Sequence, residues 1–355
     1  MTYASSGVKY NLLDPFKVLA QREAKKTANA NEVIASRGES AYVWEEEDAY
    51  RAMVVEGLGT KSLVADAVRK VTGKTYYQAI AQDTVAMIVN DLIVVGAKPQ
   101  VVNAYFAVGS SEWFEDNQRA SDLATGFAKA CKLAGATWGG GETPALAGII
   151  EKDTIDLAGS AVGMIKPKNR LVLGDKLQAG DSIVLIESSG IHANGLTLAR
   201  KIADRVGYDT MLGDGQMYGE ALLRPTHIYA QLVNDLFTHD IDIHYMVNIT
   251  GHGWRKLMRA NKDFTYVLKT LPSPAPLFNF IQEQSGNSDE EMYGNFNMGA
   301  GFCIYVPKKQ ADKVVDIATE NNLQAWVAGE VTQGKKAVEI VPKNIVFEGE
   351  SLRVR

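Results

Sequence analysis

Cysteine is nearly absent. Only Cys131 and Cys303 occur in 355 residues, each among apolar neighbours. That is too few for a disulfide scaffold, and buried free thiols in a reducing compartment are expected rather than a disulfide or a catalytic thiol. An excess of positive charge is lacking too: 37 Lys and Arg against 42 Asp and Glu give a net charge of −5. A chain so balanced is a poor match for nucleic acid or an anionic membrane surface, both of which reward basic patches. No apolar run reaches membrane-spanning length, and the opening M-T-Y-A-S-S-G-V-K-Y has no signal-peptide core, so a cytoplasmic protein is expected. Any phosphate ligand must then be met by local groups rather than by the overall field.

What is present suits two ordinary globular domains, with hydrophobic residues at 46% and charged ones at 22%. Residues 1–49 are polar and weakly periodic, and read as an N-terminal arm. Domains of the α/β class are expected over 50–168 and 169–345, joined by the charged stretch from Lys166 to Lys176 that contains Pro167.

The organising stretch is M-V-V-E-G-L-G-T-K (53–61). A strand from Tyr50 to Val55 feeds Glu56, Gly57 and Gly59, and Thr60 stands where a helix to about Val71 would begin. Free N–H groups at a helix start, beside the Lys61 ammonium, attract phosphate. The spacing matches neither a Walker loop nor G-x-G-x-x-G, and an ordinary turn would look the same.

A helix over Tyr76–Val95 is apolar on nearly every face, yet carries Asp83, Asn90 and Asp91. Asp83 and Asn90 are seven residues apart and point nearly the same way, while Asp91 lies about 100° round from Asn90. Carboxylates drawn into an apolar helix require a positive partner. A structural salt bridge and a divalent cation with oxygen ligands both satisfy that requirement. Further on, a strand from Gln100, a helix over Asn117–Leu133 and the run Trp138 to Thr143 offer Gly140, Gly141, Glu142 and Thr143 at a loop that a ligand could approach.

The second half repeats the strand, polar glycine turn and helix start twice. Ser188, Ser189, Gly190, Ile191, His192, Ala193, Asn194 and Gly195 form one turn; Thr250, Gly251, His252 and Gly253 form the other, followed by the basic run W-R-K-L-M-R. His192 and His252 are each either proton-transfer or ligand residues or simply hydrogen-bonded loop residues.

Eight blocks in order carry a family resemblance. They are E-G-L-G-T-K (56–61), Q-D-T-V-A-M-I-V-N-D-L (82–92), G-G-E-T (140–143), D-L-A-G-S-A-V-G (156–163), S-S-G-I-H-A-N-G (188–195), L-L-R-P-T-H-I-Y (222–229), I-T-G-H-G (249–253) and E-M-Y-G-N-F-N-M-G-A-G (291–301). The chain resembles the aminoimidazole ribonucleotide synthetase family, the phosphoribosylformylglycinamidine cyclo-ligases of purine biosynthesis. The resemblance implies a two-domain α/β subunit, a homodimer whose N-terminal strands share a barrel, and clefts between domains. It also implies a ribonucleotide substrate, and ATP with Mg²⁺ to phosphorylate the formyl amide oxygen before ring closure. On the same grounds Asp83, Asp91 and Glu142 would hold metal, with Asn90 assisting. Glu56, Gly57, Gly59, Thr60, Lys61, Gly140, Gly141 and Thr143 would meet ATP. Ser188, Ser189, Gly190, His192, Asn194, Thr250, Gly251 and His252 would meet the ribonucleotide, and Lys61, Asp83 and His192 would be catalytic.

Departures from the family pattern lie at Glu56, where aspartate is usual, at Pro144-Ala145-Leu146-Ala147 after G-G-E-T, and at His252 inside the third glycine turn. A glycine-rich loop expected before the first strand is replaced by Arg37-Gly38-Glu39-Ser40. The alternatives are another ATP-dependent synthetase of the same superfamily, or a nucleotide-binding regulatory protein without catalysis.

Overall fold

The structure is a computed structural model that describes residues 10–28 and 30–352. The first nine residues of the predicted arm lie outside the described residues. The rest of that arm is more structured than its weak periodicity suggests: it forms helix α1 (Tyr10–Lys25) and strand β1 (Tyr42–Glu46).

Strand β2 (Ala49–Gly57), helices α2 (Lys61–Thr72) and α3 (Tyr77–Ile93), strand β3 (Lys98–Val108), helix α4 (Asn117–Leu133), β4 (Thr137–Glu142) and β5 (Ile155–Ile165) complete the first unit. Its five-stranded sheet has the order β1-β2-β5-β3-β4. Along β5 the side chains alternate, with Ile155, Leu157, Ala161 and Ile165 buried on one face, the period-two pattern of a sheet covered on one side. Helix α3 lies against that face, and two glycines set its distance. A Cβ on Gly159 would come within 2.7 Å of Ile88 Cδ1, and one on Gly163 within 3.0 Å of Leu92 Cδ2. The opposite face carries Val55, 67% exposed, and Met53, 39% exposed.

The second unit contains β6 (Asp181–Glu187), α5 (Leu196–Val206), α6 (Tyr218–Leu222), α7 (Ala230–Thr238), β7 (Tyr245–Asn248) and β8 (Phe264–Leu268). It continues with α8 (Pro276–Ser285), α9 (Asp289–Asn295), β9 (Ala300–Pro307), α10 (Ala311–Glu320), β10 (Ala325–Gln333), β11 (Ala337–Ile340) and β12 (Ile345–Glu348). Seven strands form one sheet in the order β12-β11-β8-β10-β6-β9-β7. Strands β6 and β9, paired beside the β7 edge, are buried nearly throughout, which is why those strands read as continuous apolar runs rather than alternating ones.

Two elements differ from the sequence expectation. The G-G-G-E run is not a free loop but the edge strand β4, paired parallel to β3. The sequence from about Pro225 to Phe237 predicts one helix, but that helix starts only at Ala230. Residues 224–229 stay non-helical because side chains of α3 satisfy their backbone groups, as described next.

Candidate active site

Helix α3 is the junction between the two units. Asp83 Oδ1 accepts hydrogen bonds from the Thr226 backbone N–H at 2.8 Å and the Thr226 hydroxyl at 2.5 Å. Gln82 Nε2 donates to the Thr226 carbonyl at 2.9 Å, and Asn90 Nδ2 to the His227 carbonyl at 2.8 Å. The Tyr229 N–H donates to Asn90 Oδ1 at 3.0 Å. Lys61, the first residue of α2, closes the seam: its ammonium lies 2.8 Å from both Asp83 oxygens and donates to the Arg224 carbonyl at 2.8 Å.

These contacts change how the expected site residues are placed. Asp83 and Lys61 are both fully buried and pair with each other, so neither faces a cleft where metal or phosphate could reach it. Burial raises the Asp83 carboxyl and lowers the Lys61 ammonium, and the contact between them opposes both shifts. Asn90 is engaged with the same segment. Of the two possible partners for carboxylates in an apolar helix, the structure gives Asp83 the salt bridge. Among the described residues no three His, Cys, Asp or Glu side chains group as a metal site, so Asp83, Asp91 and Glu142 do not converge. Glu142, with Gly140 and Gly141, stands on exposed β4, and Thr143 is exposed just after it.

The cleft opens on another side of α3. Asp91, turned away from the Asp83–Asn90 face, lines a cavity of about 460 Å³ together with Glu56, Gly57 and Gly59 of the first glycine turn. Its opposite wall comes from Ala193 and Asn194, from Thr250, Gly251 and His252, and from Lys256 and Arg259. All three glycine turns therefore meet at one place, and α2 starts there: Gly59 adopts φ +74, Thr60 is the cap position, and the first N–H groups of α2 are the unpaired kind that attract anions. Asn248 Nδ2 donates to Asp91 Oδ1 at 2.6 Å and fixes the carboxylate.

Burial pushes the Glu56 carboxyl up to about 7, and the nearby Asp91 carboxylate adds to the shift, while Lys256 and Arg259 oppose it. Burial likewise lowers the Lys256 ammonium. Glu56 and Asp91 thus face Lys256 and Arg259 in a partly dry cleft. Asn194 Nδ2 is buried there without a partner among the described residues, an orphan donor suited to a ligand oxygen.

The Ser188–Gly195 turn is mostly wall rather than floor. Ser188 Oγ donates to Asn297 Oδ1, Ser189 Oγ donates to the Pro225 carbonyl, and Asn297 Nδ2 donates to the Gly190 carbonyl. His192 is only 2% exposed, and its Nε2 accepts a hydrogen bond from the Ser189 N–H at 3.2 Å. Burial, with His227 and Lys61 nearby, drives its pKa well down, so the ring is neutral and its Nε2 lone pair engaged. That geometry holds a loop and gives His192 no open path to a substrate proton.

Among the cleft residues that sequence reading missed are Lys17 and Gln21 of α1, and Lys256 and Arg259. The basic run after the third turn signalled the last two. Lys17 and Gln21 had no comparable signal, because α1 reaches the cleft only by long-range packing.

His252 joins α1 to the cleft. It holds φ +68, unusual for a side chain other than Gly or Asn, and its Nε2 lies 3.2 Å from Asp14 Oδ2. Burial lowers its pKa to about 4 against the raising effect of Asp14. A base whose folded pKa lies below its unfolded value near 6.5 adds stability above pH 6.5 that is lost as pH falls through 4. In thermal melts, the stability advantage of the wild type over His252→Asn should therefore shrink between pH 6.5 and 4. A constant difference would rule this contribution out.

Comparison with known proteins identifies the family. Residues 38–165 match the AIR synthase related protein, N-terminal domain, and residues 178–342 match its C-terminal domain. A phosphoribosylformylglycinamidine cyclo-ligase of Methanothermobacter thermautotrophicus is 35% identical over 344 residues, covering 96% of this chain and 97% of that one. Another from Methanocaldococcus jannaschii is 36% identical, covering 85% and 86%. Among solved structures, the HypE-HypF complex superposes with a TM-score of 0.64 at 18% identity over 92% of this chain and 97% of that one. AaThiL complexed with AMPPCP and TMP gives 0.63 at 15% over 95% and 96%. These two show the shared fold. With both AIR synthase related domains present and full-length relatives at this identity, the chain belongs to the phosphoribosylformylglycinamidine cyclo-ligase family.

Proposed function

We propose that the chain closes formylglycinamidine ribonucleotide to aminoimidazole ribonucleotide in the cytoplasm, using ATP and Mg²⁺, in the cleft lined by all three glycine turns. The observation that carries this reading is the facing of Glu56 and Asp91 beside the start of α2, opposite Lys256 and Arg259. Mg²⁺ prefers oxygen ligands and commonly takes one or two carboxylates with phosphate and water oxygens, and the Glu56–Asp91 pair fits that set. Bound there, the ion would offset charge on the nucleotide triphosphate.

An amide oxygen leaves poorly until it becomes a phosphate ester. The formyl oxygen takes the terminal phosphoryl group from ATP, the amidine nitrogen bonds to the same carbon, and the C–O bond breaks to release phosphate. The chain supplies positioning and charge for these steps. The N–H groups at the start of α2 and the cleft cations meet phosphoryl oxygens. Asn194, Thr250, Gly251 and His252 contact the ribonucleotide, and Ser188, Ser189, Gly190 and His192 hold the loop that presents Asn194. Two chains pair as a homodimer across the open face of the first sheet, which covers Met53 and Val55; sedimentation at single-chain mass would remove the pairing.

The decisive experiment supplies formylglycinamidine ribonucleotide, ATP and Mg²⁺ to the purified protein. Aminoimidazole ribonucleotide with matched ADP and phosphate is expected. Nucleotide binding without product would instead make the chain a sensor and overturn the proposal.

A further inference from the structure

Three cations line the cleft, and they differ in what they already touch. Lys17 pairs with Asp14 at 3.3 Å. Arg259 donates to the Gly38 carbonyl at 2.9 and 3.1 Å, with Glu39 Oε2 at 3.9 Å. The Lys256 ammonium is buried, donates to the neutral Thr250 hydroxyl, and lies across from Asp91 and Glu56. Its charge is balanced through space by the two carboxylates assigned above to the metal, and among the described residues no carboxylate forms an ion pair with it.

Two cationic species cannot both be most favourably placed by the same carboxylate pair. A divalent ion at Glu56 and Asp91 balances the pair by itself, so ion and Lys256 ammonium together exceed the charge of the two carboxylates, and like charges a few ångströms apart in a partly dry cleft repel strongly. We propose that Lys256 is a resident counter-ion: it balances Glu56 and Asp91 while they hold no metal, and its ammonium turns to a phosphoryl oxygen once they do. Lys256 would then oppose metal binding alone and favour metal with nucleotide, so that each ligand tightens the other. This coupling must be reciprocal. It rests on the assignment of Glu56 and Asp91 as metal ligands.

The test uses titration calorimetry on the full chain, with Mn²⁺ as the metal probe and the non-hydrolysable nucleotide AMPPCP. Lys256→Met is compared with wild type, Lys256→Arg and Asp91→Asn. For Lys256→Met, Mn²⁺ alone is expected to bind about fivefold or more tighter than to wild type. AMPPCP at saturating Mn²⁺ is expected to bind about tenfold or more weaker, and the mutual tightening to fall toward none. Lys256→Arg, which keeps the charge, should stay near wild type in the metal-alone arm.

Weaker binding of both ligands to Lys256→Met would mean a structural lysine, and unchanged metal affinity would remove the counter-ion role; either result overturns the proposal. Should wild type bind Mn²⁺ no better than Asp91→Asn, the metal assignment itself fails and the proposal falls with it. Circular dichroism and melting of each variant confirm that the fold is kept, so a loss from misfolding is recognised as such.

Discussion

Asp83→Ala is expected to destabilise the protein by about 3–5 kcal/mol, the usual cost of removing one partner from a fully buried ion pair. The loss is large because the substitution leaves the Lys61 ammonium in a site with no solvent exposure and deprives the Thr226 N–H and hydroxyl of their acceptor. For a domain of ordinary size this corresponds to a fall in melting temperature on the order of 10 °C. A paired replacement separates charge from packing. Lys61→Met with Asp83→Asn fills the same space and retains an acceptor for Thr226, so it should lose less than either single charge-removing variant. Denaturant and thermal melts measure both. The rival outcome, in which Asp83→Ala keeps its stability but loses metal-dependent turnover, would return Asp83 to the reacting centre.

The second large effect is expected at Asp91. It sits on the same helix, one residue beyond Asn90, but opens onto the cleft and is held by Asn248 at 2.6 Å. Asp91→Asn preserves shape and hydrogen-bonding capacity while removing a formal charge beside the proposed phosphoryl-transfer site. Turnover should fall about 10²–10³-fold, the range seen when a preorganised electrostatic partner of the reacting group is lost. Its melting temperature should change far less than that of Asp83→Ala, because the shape and the Asn248 contact are kept and Lys256 still faces the Glu56 carboxyl. Measuring rate and melting temperature on both variants gives a crossed pattern: stability lost at 83, rate lost at 91. Full turnover by Asp91→Asn would displace the metal from this carboxylate.

That contrast explains how far the sequence could be read. The 3.6-residue period of α3 fixes Asp83 and Asn90 on one side and Asp91 on another, and the structure uses those two directions for two purposes. The apolar character of the helix likewise required its carboxylates to have partners. The three glycine turns, each between an apolar strand and a following helical segment, were visible as local chemistry because glycine, proline and capping residues act over a few neighbours.

Which partner each carboxylate meets was not local. Asp83 is matched by Thr226, 143 residues away, and by Lys61, 22 residues before it. The helix predicted at Pro225 failed for the same reason, since the backbone of that segment is satisfied by side chains from another unit rather than by its own turn. Lys17 and Gln21 reach the cleft only because α1 folds back over it. The sequence therefore determined where charge must be compensated and which faces of each element carry it, through short-range periodicity and the cost of burying charge. Tertiary packing alone decided which opposite charge stands there, because that depends on how segments far apart in the chain are brought together by burial of the two sheets.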